Sequence, residues 1–152
     1  MKQILHTVII LLVSFSVSAQ TRGARKVDEF VLSNCEVAMA RLDNYALSLQ
    51  NEPTTIAHII FYEGKILESL SKKILPRRGE AEARVNDLKR YLVENRLIPS
   101  NRIEIINGGI RKEHSVEFWT VPNDASAPKP TPTLKKIKYA KGNPSRLCSE
   151  MF

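Results

Sequence analysis

The chain has little with which to do metal or acid–base chemistry. Its 152 residues include three histidines, His6, His58 and His114, and two cysteines, Cys35 and Cys148. None of these stand at a metal-ligand spacing, and no glycine-rich loop opens a helix to cradle a phosphate. No cofactor is implied. Long apolar runs are scarce too. The uncharged stretch Val8–Val17 falls well short of the roughly 20 residues that span a bilayer. No cysteine follows it before Cys35, so a lipid-attachment motif is missing as well.

The start reads as an export signal. Lys2 supplies positive charge, Val8–Val17 the apolar segment, and Val17-Ser18-Ala19 the small residues before a cut at Gln20. Residues 1–19 are expected to be removed and the product to be periplasmic or extracellular. Removing 19 of the 152 residues leaves 133, the length of one domain with a sizeable core. The signal carries only Lys2, so 22 basic side chains then face 16 acidic ones. This excess favours anionic surroundings such as cell-wall polymers or lipid head groups. Export and the absence of aromatic residues interleaved with the basic ones argue against nucleic acid.

Cys35 and Cys148 allow a single internal pair, and the compartment permits the bond. A disulfide between them is expected. The alternatives are two free thiols, or a reactive Cys35 with His58 or His114 as its base, for which no flanking motif speaks.

Residues 20–26 are polar and basic and read as a flexible start. A first strand is expected over 27–32. Ser33 stands three residues before Glu36, the capping-box spacing, and Cys35, Ala38, Met39, Leu42, Tyr45, Ala46 and Leu49 recur at helical intervals until Asn51-Glu52-Pro53. Residues 56–62 are apolar at nearly every position, the pattern of a central strand covered on both faces. His58 within it reads as a satisfied core residue. Glu63-Gly64-Lys65 ends that strand, and 66–78 reads as an irregular insert with one or two helical turns.

A second helix is expected over 80–95 on the stripe Ala81, Val85, Leu88 and Leu92. A strand over 102–106, a turn at Asn107-Gly108-Gly109 and a last strand over 115–121 complete the domain, 27–121. Residues 122–133 form a Pro-rich linker, and 134–152 a basic tail that reads as disordered apart from the disulfide.

The order strand, helix, strand, helix, strand, strand predicts an α/β sandwich of α+β type with two helices packed on a mixed sheet. Within it, Arg90-Tyr91-Leu92, Asn95-Arg96-Leu97-Ile98-Pro99, Arg102-Ile103, Gly108-Gly109 and Val116-Glu117-Phe118 resemble the second half of an OmpA-like, peptidoglycan-associated domain. The resemblance implies a non-catalytic module with a βαβαββ fold, binding peptidoglycan or another envelope component. It further implies a site in which a helix arginine takes a diaminopimelate carboxylate and an acid takes the ammonium. Arg84 matches the arginine and Glu63 is the nearest acid, while the family's Thr-Asp pair and the asparagine before the arginine are absent. On the residues alone, Arg84 equally suits a solvated pair with Glu80 one turn earlier, stabilising by about 0.2 to 0.5 kcal/mol. A scaffold for protein–protein contact that has lost the ligand site is the second reading, and a thiol enzyme the third.

Overall fold

The structure is a computed structural model and describes residues 23–68 and 72–148. The expected signal peptide lies outside the described residues. Among the described residues no helix is long and apolar enough to cross a membrane.

Strand β1 (Arg25–Val31) leads into helix α1 (Cys35–Asn51), and strand β2 (Thr55–Leu67) is followed by the two-residue strand β3 (Lys73–Ile74). Helix α2 (Glu80–Glu94), a 3-10 turn (Ser100–Arg102), and strands β4 (Ile103–Glu113) and β5 (Ser115–Pro122) complete the fold. The chain is thus a mixed α+β domain with two helices and a five-stranded sheet. In that sheet β2 lies between β5, antiparallel, and β4, parallel, while β1 pairs antiparallel with β5 at the edge.

The alternation along each strand decides where the helices sit. Ala57, Ile59 and Phe61 of β2, Val116 and Phe118 of β5 and Ile103 of β4 join one buried cluster with Ala38, Leu42, Tyr45 and Leu49 of α1 and Ala81, Val85, Leu88 and Leu92 of α2. Both helices therefore lie on one face. The Tyr45 ring stacks on Phe118 at 4.6 Å, and its hydroxyl donates to the Trp119 carbonyl at 2.7 Å, so a buried phenol stays satisfied. His58 is buried with Nε2 3.3 Å from Glu104.

Several boundaries differ from expectation. Asn34 caps α1, its side-chain oxygen accepting from the Val37 amide at 2.9 Å, so the Ser33–Glu36 box does not form. Arg25 and Lys26, expected in a flexible start, pair with Thr120 and Trp119 in the sheet. The expected insert contributes Ile66 and Leu67 to β2 and Lys73–Ile74 to β3, and no helix forms among its described residues.

Gly64 does not end β2. A Cβ there would lie 2.1 Å from the Glu113 carbonyl carbon, because the link from β4 to β5 crosses β2 at this point. The His114 amide donates to Lys65 O at 3.0 Å across the crossing. Asn107-Gly108-Gly109 is likewise no turn. The register moves from Phe61 opposite Asn107 to Glu63 opposite Ile110, which marks a bulge inside β4 with Gly109 at φ 92°. Gly108 allows the Tyr62 ring to lie against the backbone, since a Cβ would stand 2.4 Å from its Cε1.

The Pro-rich segment and the tail also depart from a loose linker and a disordered end. The amides of Thr133 and Leu134 donate to Ile110 O at 2.9 and 3.0 Å, and that of Thr131 donates to the Tyr62 hydroxyl at 3.0 Å. Farther on, the Ala140 amide donates to Pro76 O at 2.9 Å. Cys148 is buried and disulfide-bonded to Cys35. From Thr131 to Cys148 the chain forms a strap fixed to the domain along its length.

Candidate functional site

Helix α2 buries two stripes. Ala81, Val85, Leu88 and Leu92 face the core, while Glu80, Arg84 and Asp87, spaced by four and three residues, form an adjoining row that is also buried. Three ionisable side chains can be buried in a row only where other groups meet their charges. Here the strap meets them.

Arg84 Nη2 lies 3.3 Å from Glu80 Oε1 and donates to Ser145 Oγ at 3.0 Å. Ser145 in turn donates to Glu80 Oε1. The other carboxylate oxygen of Glu80 accepts from the Arg77 amide at 2.7 Å. Burial alone would raise the Glu80 pKa, but the Ser145 hydroxyl, the Arg77 amide and the Arg84 and Arg77 charges hold it below the usual carboxylate value. Burial lowers Arg84 from the ordinary arginine value, with Glu80 opposing.

One turn on, Asp87 is fully buried. It accepts from Arg90 Nη2 at 2.9 Å, from Arg146 Nε at 3.0 Å and from the Leu147 amide at 2.9 Å. The disulfide follows immediately. Asp87 therefore holds the end of the strap in place beside the Cys35–Cys148 bond.

Glu63 lies in a second cluster. It accepts from the Tyr139 hydroxyl, and this bond is the main reason the phenol's pKa is raised. The Arg78 guanidinium lies over the Tyr139 ring at 4.7 Å. Of the two residues singled out in the sequence, Arg84 thus meets Ser145 and Glu63 meets Tyr139. Among the described residues no hydrogen bond or ion pair joins Arg84 to Glu63. The strap engages both.

Between the clusters stands His114, fully buried at the crossing of β2 with the β4–β5 link. Its Nδ1 is 2.9 Å from Tyr62 O, and Nε2 has no hydrogen-bond partner among the described residues. Burial pushes its pKa down to about 4, with the Arg84 charge adding to the fall and Glu80 opposing it. An uncharged ring is what this position accepts.

The cysteine pairing occupies the thiol that an enzyme reading needs. Cys35 is bonded to Cys148, and among the described residues no cysteine is free. No group of histidine, cysteine, aspartate and glutamate among the described residues is placed to hold a metal ion.

Sequence reading missed Asp87, Ser145 and Tyr139. The spacing of Glu80, Arg84 and Asp87 was visible, but charged residues along one helix face read as solvated. Only Cys148, through its expected bond to Cys35 at the start of α1, signals that the chain returns to the domain. Compared with family models, curated proteins and solved structures, the chain matches none.

Proposed function

We propose that this protein is an exported, non-catalytic binding module of OmpA-like fold, and that it engages another component of the cell envelope elsewhere than at Arg84 and Glu63. The fold reading is supported by two helices on one face of a sheet in which β2 runs parallel to β4 and antiparallel to β5. The observation that carries the functional reading is self-occupancy. The arginine that would fork onto a ligand carboxylate already donates to Ser145, and the acid that would take an ammonium already accepts from Tyr139. A zwitterionic wall fragment would have to displace a strap that is held by a covalent bond.

The test is co-sedimentation of the mature, oxidised protein with insoluble peptidoglycan stripped of its anionic polymers. The protein should remain in the supernatant, and Arg84→Ala should not change this. Pelleting that disappears in Arg84→Ala, with the fold intact by circular dichroism, would overturn the reading and make the site an open peptidoglycan receptor.

A further inference from the structure

The strap carries most of the net charge of the mature chain. Residues 20–133 hold 17 basic and 15 acidic side chains, whereas Leu134–Cys148 holds Lys135, Lys136, Lys138, Lys141 and Arg146 and no acid. Arg146 is spent on Asp87. Among the described residues, the four strap lysines and the neighbouring Arg78 have no carboxylate partner, whereas much of the domain's charge is paired, as in Arg25 with Glu52, Arg41 with Asp28, Lys73 with Glu113 and Arg96 with Asp43. A cluster of like charges is repulsive and is tolerated at a cost. Here it is also held in place, by the hydrogen bonds that the Leu134 and Ala140 amides donate and by the stacking of Arg78 on Tyr139.

Three of these charges, Arg78, Lys138 and Lys141, border a concavity. Arg78, Lys138, Tyr139, Lys141 and Gly142 line an open cleft of about 680 Å³. The strap turns at Gly142, where φ is 118°. Lys135, Lys136, Lys138 and Lys141 place four cations within seven residues, more charge than a single small anion neutralises.

We infer that this cleft and the lysine strap beside it bind a linear polyanion, a polymer with repeated phosphate or carboxylate groups. The strap supplies point charges along the polymer, and Arg78 supplies one planar fork at the cleft. The source of the polymer as an envelope component rests on the reading above, but the site uses neither Arg84 nor Glu63, so the two stand or fall on different residues.

The experiment measures binding of the mature oxidised protein to polyphosphate and, separately, to polygalacturonate at low salt. Binding to at least one polymer is expected, and which one names the anionic group. Replacing Lys135, Lys138 and Lys141 by Gln should weaken binding at least tenfold, and Arg78→Gln should weaken it severalfold. The control replaces Lys65, Lys112 and Lys129, which lie outside both the cleft and the lysine strap, by Gln, with the same loss of charge. Equal losses in both triple variants would show diffuse attraction only and overturn the site, as would failure to bind either polymer. Stronger binding to phosphatidylglycerol vesicles than to both polymers would also overturn it, in favour of a membrane surface.

Discussion

Arg84 and Ser145, 61 positions apart in the chain, meet at 3.0 Å, and the serine also donates to the carboxylate that Arg84 pairs with. The ion pair expected on a solvated helix face is therefore a buried one, closed over by a distant segment. Arg84→Ala would leave the Glu80 carboxylate, with its side chain only 1% exposed, without its main counter-charge. Removing one partner of such a pair costs far more than the pair contributes in water, and with Ser145 and the Arg77 amide still in place the loss should be about 2 to 3 kcal/mol. Urea unfolding of the oxidised variant measures it. A change under about 0.5 kcal/mol would mean that the strap does not cover this pair.

The Cys35–Cys148 bond spans a sequence separation of 113 residues. On the chain-entropy account a loop of this length stabilises by about 4 to 5 kcal/mol, and loss of a native disulfide typically costs about 2 to 5 kcal/mol. Cys148→Ser should lower the unfolding free energy by an amount in that range. Limited proteolysis should then cut within residues 134–148 first, because the disulfide and Asp87 are what hold the strap's end. Intact-mass measurement with alkylation checks the starting state, where neither cysteine of the native protein should react.

Acid should weaken the fold through His114. Its folded pKa, about 4, lies below the ordinary histidine value of 6.5, so the unfolded chain binds a proton more readily than the folded one. Its share of stability is complete above pH 6.5 and is lost as the pH falls towards 4, for a total of about 3 kcal/mol. The depressed Glu80 adds a loss in the adjoining range, below the ordinary carboxylate value of 4.5. Unfolding measured from pH 7 to pH 4.5 should show a slope that His114→Phe flattens. An equal slope in both proteins would place the titration elsewhere.

Gly64→Ala tests the crossing. The added methyl would meet backbone, the Glu113 carbonyl and the His114 amide, which cannot rotate away as a side chain can. Destabilisation of about 3 kcal/mol or more is expected, at the upper end of overpacking costs. Gly23→Ala, with nothing within 4 Å of the added carbon, is the neutral control. Thermal melts of the two variants decide the matter.

What the sequence made legible was whatever depends on side-chain period. The stripe Ala38 to Leu49 and the stripe Ala81 to Leu92 mark both helices, and the apolar run Ile56 to Tyr62 marks the central strand, because burial itself imposes those patterns. Local signals misled where long-range backbone geometry decides. Gly64 reads as a strand end and Gly108-Gly109 as a turn, but one marks a crossing and the other a bulge, two uses of glycine that look alike in sequence. The candidate pair Arg84 and Glu63 was found, but its occupants were not. Ser145 and Tyr139 lie among lysines and prolines, and strap contacts at Thr131, Thr133, Leu134, Ala140 and Leu147 use backbone amides, which leave no trace in composition.

The disulfide also fixes how the molecule would carry a load. It closes a ring from Cys35 to Cys148 that contains α1, β2, β3, α2, β4 and β5 and leaves only β1 outside. Tension applied between the segment before β1 and the segment after Cys148 would pass from one sulfur to the other and out through β1, so of the enclosed elements only β5, through its pairing with β1, would be loaded. The mechanical limit of the molecule is then set by a single seven-residue edge strand and its pairing with β5. As long as that bond is intact, a pull on the two ends could detach β1, while the strap would stay seated over Arg84.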